Sequence, residues 1–249
     1  MYTDAHIHLQ DLAEKEGHEL NLPDSLLVCA SAWNESEFNL HEAFSLQHPD
    51  QVFLSFGIHP QNPAPDSIPF LEKLIAESRI AAVGECGFDF FTSDYRNTRK
   101  EQDYVWNAQL SIAIEAGLPF IIHERKARAE LFEAARNLSR IPAVVFHGWS
   151  GSVIEARSFL DRGVNAFFSA GKGLLRGHKN LRETVHLIDP DRILAETDAP
   201  WMQLRDEEYT RSEDIIAVYR EIAALRGMPE DELQDVIRLN FLRVFTRRI

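Results

Sequence analysis

The chain has 249 residues, 45% of them hydrophobic, and a formal net charge of −13 at pH 7. This acidity argues against a protein that coats nucleic acid with a basic surface, but it does not exclude a locally positive or metal-rich cleft. No apolar run is long enough to span a membrane, and the polar N-terminus does not resemble a signal peptide. The two cysteines, Cys29 and Cys86, lie in apolar stretches, so we expect buried, reduced thiols and a cytoplasmic protein.

Short apolar runs alternate with amphipathic segments along the chain, which is typical of parallel strands joined by helices. Eight such runs in a chain of this length predict an α/β fold: one (β/α)8 TIM barrel domain over 1–249 with additional C-terminal helices. A doubly wound open sheet is the alternative. The predicted strands are 3–9, 25–31, 51–59, 79–86, 118–124, 142–148, 164–171 and 192–198.

Helix start and stop signals occupy the segments between these strands. Capping-box spacings predict helices that begin at Asn34 and near Ser152. Residues 98–116 carry an apolar stripe at helical spacing. The C-terminal part, 212–245, predicts two helices separated at Gly227.

The first predicted strand carries two histidines one residue apart, in the sequence TDAHIHL. Strand alternation places Asp4, His6 and His8 on one face, with Ala5 and Ile7 on the other. Two adjacent imidazoles are able to bind one divalent ion. One such pair arises easily by chance among ten histidines, so a metal site is expected only if other strands also contribute ligands.

Five of the predicted strands end in a side chain that is able to bind a metal, and a sixth ends at His59. In a barrel the C-terminal strand ends form the active-site face, so these side chains should converge. Four imidazoles and two carboxylates suit two zinc, manganese or cobalt ions better than calcium. Two ions that share an activated water make hydrolysis the natural reaction. The converging residues are His6, His8, Glu85, His123, His147 and Asp198.

The same alternation predicts which neighbours share a face with these polar residues. Glu85 should share a face with Ala81 and Val83, while Cys86 points toward the covering helices. If the apolar members fill the barrel interior, the polar members emerge at its mouth.

Six short motifs follow one another along the chain: DAHIHL (4–9), GIHP (57–60), GECGFD (84–89), IHER (122–125), FHGWSGS (146–152) and ETDAPW (196–201). With these motifs the chain resembles the TatD family of metal-dependent deoxyribonucleases, within the amidohydrolase-like barrels. The segment NFLRVF (240–245) is similar to the family's C-terminal helix. The segment after ETDAPW lacks the family's usual Asn-Glu-Pro run, so a specialised member is expected.

The resemblance implies a role for each polar residue at the predicted mouth. Glu85 would bridge two divalent ions (Zn, Mn, Co or Mg), and Asp198 would orient or deprotonate the attacking water. These two are therefore the expected catalytic residues. The implied ligands are His6, His8 and Asp198 for the first ion, and His123 and His147 for the second.

Substrate contacts are predicted at the same rim. The resemblance implies that Arg125 reaches a phosphate and that His59 contacts a phosphate or supports the site. The glycine-rich segment 169–180 adds Lys172 as a second predicted phosphate ligand. Trp149 is predicted to offer a face on which a base stacks. The alternatives are an ordinary solvated loop for Lys172 and a packing role for Trp149.

Three functions fit the sequence. The first is a TatD-type deoxyribonuclease that removes nucleotides from DNA, single-stranded or at an end, with no membrane partner. The second is a metal-dependent hydrolase of another ester, a lactone or a cyclic amide on the same barrel. Many such relatives bridge their ions with a carboxylated lysine where Glu85 stands, which favours the first. The third is a non-catalytic subunit of an assembly, which predicts lost ligands.

Overall fold

Eight parallel strands follow one another around the sheet in chain order in the computed structural model, which describes residues 1–17 and 20–246. The predicted (β/α)8 barrel is therefore confirmed, and the open-sheet alternative is wrong. The strands are β1 Tyr2–Ile7, β2 Leu26–Ala32, β3 Val52–Phe56, β4 Ala82–Asp89, β5 Phe120–Arg125, β6 Val144–Phe146, β7 Ala166–Ala170 and β8 Ile193–Ala195.

Helices join and cover the strands. No helix in the described ranges is both long and apolar enough to cross a membrane. The helices are α1 Leu9–Lys15, α2 Glu35–Gln47, α3 Ile68–Ala76, α4 Ser93–Asn97, α5 Arg99–Ala116, α6 Arg128–Glu133, α7 Ala135–Leu138, α8 Val153–Asp161, α9 Lys179–Leu187, α10 Ile215–Arg226 and α11 Glu230–Phe245.

The predicted helix starts are confirmed. Ser152 caps α8 with a reciprocal capping box, and Asn34 caps α2 by accepting the Glu37 backbone N–H. The Glu37 carboxylate instead accepts the backbone N–H of Trp33, so this cap is not a reciprocal box. Gly227 ends α10 in the left-handed conformation, with φ of +62°, as the predicted break requires.

The barrel closes between its last and first strands at the carboxyl ends. The His8 backbone N–H donates to the Ala199 carbonyl over 2.9 Å, and the Asp198 N–H donates to the His6 carbonyl over 3.0 Å. Three of these four residues are predicted site residues. The closure of the barrel therefore also sets the spacing of part of the site.

Apolar side chains fill the barrel interior, and α11 closes its amino end. Phe241 packs edge-on against Phe53, with ring centroids 5.2 Å apart. Because α11 covers the end where the strands begin, the carboxyl ends are left to form a cleft. The interior cluster comprises Ala5, Leu27, Cys29, Ala82, Ile121, Ala143, Val145, Phe167, Leu194, Phe241, Val244 and Phe245.

Strand alternation fails where register shifts interrupt β1 and β4. Ala82 belongs to the interior cluster, whereas Val83 packs with the outer layer beneath the helices. The prediction that Val83 shares the face of Glu85 is therefore wrong. The pairing of β4 with β5 shifts between Val83 and Cys86, and this irregularity still turns Glu85 inward and Cys86 outward.

A similar shift occurs in β1 between Asp4 and Ile7. Ala5 joins the interior cluster and Ile7 joins the outer layer, so the prediction that they share a face is wrong. The shift is a local irregularity of the kind that re-aims side chains near active sites. His6 and His8 both face the carboxyl end despite it.

Glycine is required where β4 approaches β5 most closely. Gly87 has φ of +148°, and a Cβ atom there would lie 2.0 Å from the His123 carbonyl oxygen. No side chain fits this space without moving the backbone that carries His123. The close approach of the two strands thus depends on the absence of a side chain.

We expect Gly87→Ala to lower the free energy of unfolding by about 3 kcal/mol or more, because overlap with backbone adds to an unfavourable φ. Gly117→Ala is the matched control, since Gly117 also has a positive φ but meets no atom within 4 Å. The control should cost only about 1 kcal/mol. Urea unfolding measures both, and equal losses would contradict this account.

Candidate metal centre and its cleft

A cleft of about 800 Å³ opens at the carboxyl ends of the strands. The structure brings all six predicted metal ligands together at the base of this cleft, as the convergence argument required. Among the described residues, donor atoms of these ligands and of their neighbours form four groups, and within each group all atoms lie within 4.8 Å of one another. The groups are His6, His8 and Asp198; His6, Glu85 and His147; His59, Glu85 and His123; and His8, Asp11 and Glu37.

The Glu85 carboxylate lies between the imidazoles, and its two oxygens face different rings. Oε2 lies 3.1 Å from His6 Nε2, while Oε1 lies 2.7 Å from His123 Nδ1 and 3.6 Å from His147 Nε2. Burial alone would raise the pKa of this carboxyl. The imidazoles of His147, His6, His59 and His123 outweigh burial and hold its pKa well below the usual range. Glu85 is therefore a charged carboxylate with one oxygen on each side.

His6, His8 and Asp198 form the second half of the site. The Nε2 atoms of the two histidines are 3.2 Å apart, and Asp198 Oδ1 lies 3.5 Å from His8 Nε2. Ligands at tetrahedral angles around zinc would be separated by about 3.3 Å. Asp198 also has a φ of +59°, which is uncommon for a residue other than glycine and is found mostly where a site requires it.

Each of three imidazoles has a partner on the nitrogen that faces away from the cleft. His6 Nδ1 lies 3.0 Å from Ser31 Oγ, His147 Nδ1 lies 3.0 Å from Glu196 Oε2, and His123 Nε2 lies 3.3 Å from Asp89 Oδ2. Such partners hold the ring and its proton, which leaves the opposite nitrogen free to bind an ion. The donor set therefore fits divalent ions at His6 Nε2, His147 Nε2 and His123 Nδ1.

Sequence reasoning missed these outer partners, although it contained signals for two of them. Glu196 lies two residues before Asp198 on the same predicted face, and Asp89 ends the motif that begins with Gly84. Ser31 carried no signal, because its contact with His6 depends on how β1 pairs with β2.

His59 lines the same cleft, but the proton on its ring is placed differently from the protons on the proposed ligands. Its Nδ1 accepts the backbone N–H of Gln61 at 3.2 Å, so the neutral ring carries its proton on Nε2. Burial lowers the pKa of His59, which keeps the ring neutral. Nε2 lies 3.6 Å from Glu85 Oε1. An N–H at this place is a hydrogen-bond donor, so the geometry favours the predicted phosphate or supporting role over metal binding.

Arg125 lies at the end of β5 with an exposed side chain that lines the cleft. Its guanidinium carbon is 3.6 Å from the centroid of the Phe91 ring. Among residues 1–17 and 20–246, no carboxylate lies within ion-pair distance of it. The predicted phosphate ligand is thus a cation available to a substrate.

Comparison with known proteins agrees with this geometry. The family model for TatD-related DNases matches residues 3–246. The chain belongs to the TatD-related DNase family. It is 32% identical over 248 residues to the 3′-5′ ssDNA/RNA exonuclease TatD of Erwinia tasmaniensis, covering 95% of this chain and 93% of that protein.

Two further matches are a metal-dependent hydrolase and a solved structure with the same fold. The chain is 28% identical to YcfH of Escherichia coli K12, described as an uncharacterized metal-dependent hydrolase, over 98% of this chain and 95% of that one. The crystal structure of YjjV, a TatD homologue from Escherichia coli K12, superposes with a TM-score of 0.82. That match has 24% identity and covers 99% of this chain and 98% of YjjV, and it shows the shared fold.

One predicted substrate contact of this member of the TatD-related DNase family must be corrected. Lys172 is fully buried and does not line the cleft, although Gly171 and Gly173 do. Its ammonium group pairs with Glu207 and, at 2.7 Å, with Asp214. Both carboxylates come from the segment after β8, which sequence spacing did not indicate. Lys172 therefore holds that segment to the barrel and has no free charge for a phosphate.

Trp149 also differs from its predicted role. Its side chain is only 3% exposed, and its indole N–H donates to Thr184 Oγ1 over 3.3 Å. The Arg128 guanidinium covers the ring at 4.5 Å from its centroid. The ring packs edge-on against Phe168. The packing alternative describes Trp149 better than base stacking does.

We expect Lys172→Ala to lower the free energy of unfolding by about 2 kcal/mol, because two carboxylates that are about one-third exposed lose their ammonium partner. Bound metal and the salt dependence of substrate binding should stay at wild-type values. Lys179→Ala, at an exposed residue of the same segment, is the control and should leave unfolding unchanged. A reduced salt dependence in Lys172→Ala alone would restore the phosphate role.

Proton release should accompany ion binding. Burial alone lowers the pKa of both rings, but Glu85 and Asp89 raise that of His123 to about 9, and Glu196 and Glu85 raise that of His147 to about 10. Both rings are protonated at neutral pH and must lose a proton to bind an ion. Ion affinity should therefore rise as the pH is raised from neutral toward these pKa values.

Calorimetric titration of the metal-free protein with Mn²⁺ or Zn²⁺, in two buffers of different ionisation enthalpy, counts the released protons. His178→Ala, at an exposed cleft residue outside the six predicted ligands, should release as many protons as wild type. Binding without proton release at neutral pH would contradict the assignment of these two ligands.

Proposed function

We propose that this chain is a metal-dependent phosphodiesterase that removes nucleotides from an end of single-stranded DNA or RNA. The observation that carries the proposal is the Glu85 carboxylate, which presents one oxygen to His6 and the other to His123 and His147. A carboxylate with imidazoles on both sides would be able to hold divalent ions together with those rings. The name of the Erwinia tasmaniensis relative, an ssDNA/RNA exonuclease, supports the substrate class.

The ligand set of the proposal contains four imidazoles and two carboxylates, which favours zinc, manganese or cobalt over calcium, with magnesium as a further candidate. When bound, two such ions would supply an activated water and positive charge against a phosphate. The proposed ligands are His6, His8 and Asp198 on one side, His123 and His147 on the other, and Glu85 between them.

Asp198 is the proposed proton acceptor. Its side chain is 14% exposed at the base of the cleft, whereas Glu85 is 5% exposed, so a water reaches Asp198 more readily. Burial alone raises the pKa of Asp198, but His147, His8 and His6 lower it overall. The carboxylate is therefore ionised and able to orient a water and take its proton.

Arg125 and His59 are the proposed phosphate contacts. Arg125 provides a planar charged donor, and His59 directs an N–H into the same cleft. His59 and His123 lie beside the same oxygen of Glu85, and Arg125 follows His123 by two residues on β5. A phosphodiester held there would have its phosphorus beside the metal ligands and its chain directed out of the cleft.

The cleft favours an unpaired end over a duplex. Its volume of about 800 Å³ falls within the range that encloses small ligands, which spans about 300–1,000 Å³. Such a space fits one or two nucleotides and is too small for paired strands. With a net charge of −13, the protein lacks the basic surface that long duplex contacts need.

A reducing compartment such as the cytoplasm fits the two cysteines. Cys29 and Cys86 are both free and buried. Burial raises the pKa of the Cys29 thiol to about 12, so it is unreactive at neutral pH.

We expect the metal-loaded protein to shorten a labelled single-stranded oligonucleotide, and a chelator to stop the reaction. Asp198→Asn should lower kcat by about 100- to 10,000-fold, because the proton acceptor is lost while an oxygen ligand is kept. Asp231→Asn, at an exposed residue of α11, is the matched control and should retain full activity.

Separate 3′ and 5′ labels report the polarity of shortening, and metal analysis of each variant reports ion content. Full activity in Asp198→Asn would contradict the mechanism. Hydrolysis of a lactone or carboxylic ester, with no shortening of any oligonucleotide, would support the alternative hydrolase in place of the nuclease.

A further inference from the structure

Two of the four tryptophans are exposed, and both line the cleft. Trp33 and Trp201 are 39% and 49% exposed, whereas Trp106 and Trp149 are each 3% exposed. A large aromatic surface left in water beside a cleft marks a contact surface for a ligand. The proposed catalytic residues make no use of either indole.

Strand order places the two indoles on one side of the mouth. Trp33 follows β2 and Trp201 follows β8, and β1 lies between these strands. Arg125 ends β5, which lies opposite β1 in an eight-stranded barrel. The mouth therefore has both indoles on one side and Arg125 on the other, with the metal ligands between them.

Carboxylates on the side of the two indoles make it less favourable for a phosphate, although Arg176 also lines the cleft beside Met202. Asp11 lines the cleft there, and Trp201 lies close enough to hydrogen-bond with its carboxylate. Glu37 lies beneath the same side, 3.8 Å from His8. Carboxylates repel a phosphate but not an uncharged, flat base. The chemistry of this side therefore suits the base of a nucleotide whose phosphate lies toward Arg125.

Both indoles are carried on fixed backbone. The backbone N–H of Trp33 donates to Glu37 Oε2 over 2.9 Å, and the backbone N–H of Trp201 donates to the Asp198 carbonyl over 2.7 Å. The Arg176 guanidinium donates to the Gln203 carbonyl over 2.5 Å and anchors the segment after Trp201. A surface held in place before binding loses little entropy when a ligand stacks on it.

We propose that Trp33 and Trp201 form a stacking surface for the unpaired bases at the end of a single strand. The proposal rests on the proposed function, since it names how that substrate is recognised. Base–aromatic stacking tolerates every base, so the surface gives preference for unpaired ends without sequence specificity.

The test compares oligothymidylates that carry a normal or an abasic nucleotide at the 3′ end, with a second pair modified at the 5′ end. Binding to the metal-loaded protein is read by anisotropy of a fluorophore on the far end, and hydrolysis is read by product length. Wild type should bind the base-bearing strand about 5- to 100-fold more tightly than the abasic strand at one end.

Trp33→Ala and Trp201→Ala should each reduce this preference while leaving affinity for the abasic strand unchanged. Trp33→Phe and Trp201→Phe should restore part of it, which excludes misfolding as the cause. Tyr104→Ala is the matched control, because Tyr104 is 60% exposed but does not line the cleft.

The outcomes separate this inference from the proposed function. Hydrolysis without any base preference, or an equal loss of affinity for both strands in the Trp→Ala variants, overturns the stacking surface alone. Base preference without hydrolysis overturns the nuclease but supports the surface. Absence of both binding and hydrolysis overturns both.

Discussion

The buried carboxylate of Glu85 is the constraint on which the rest of the site depends. A charged carboxylate taken out of water is unfavourable unless positive or hydrogen-bonding groups surround it. Here the imidazoles of His6, His123 and His147 approach both of its oxygens. Without ions, the protons on His123 and His147 neutralise it, and ions held by the same atoms would take over that role. The same geometry therefore serves stability without ions and chemistry with them.

Several features of the fold hold the residues that converge on Glu85. Gly87 lets β4 meet the backbone of His123, and the register shift before Cys86 turns Glu85 inward. Behind the histidines, Asp89 and Glu196 hold the rings from the other side. Each ring is thus fixed between an inner group that faces the cleft and an outer group that faces the barrel wall. Fixed rings present ligand atoms at spacings that need little adjustment when an ion binds.

The sequence predicted the barrel and the convergence of the six proposed ligands because both follow from local patterns, namely strand–helix alternation and polar residues at strand ends. It failed where tertiary structure decides. Alternation assumes a regular strand, so it misplaced Val83 and Ile7 beside register shifts. Lys172 was assigned to the cleft from its position in a loop, but its carboxylate partners lie 35 and 42 residues away. Composition alone did not distinguish buried Trp149 from exposed Trp33.

An acidic protein that binds a polyanion must separate its charges in space. In this cleft the free guanidinium of Arg125 lies on one side, while Asp11 and the indoles of Trp33 and Trp201 lie on the other. A strand approaching the protein would be repelled by the net charge of −13 and attracted by Arg125 at the mouth of the cleft. Phosphate attraction is therefore confined to a few contacts, and the remaining affinity has to come from uncharged bases. In the proposed function, such a division would favour an end whose bases are free to stack on the indoles, and it would disfavour paired strands, whose bases are already stacked.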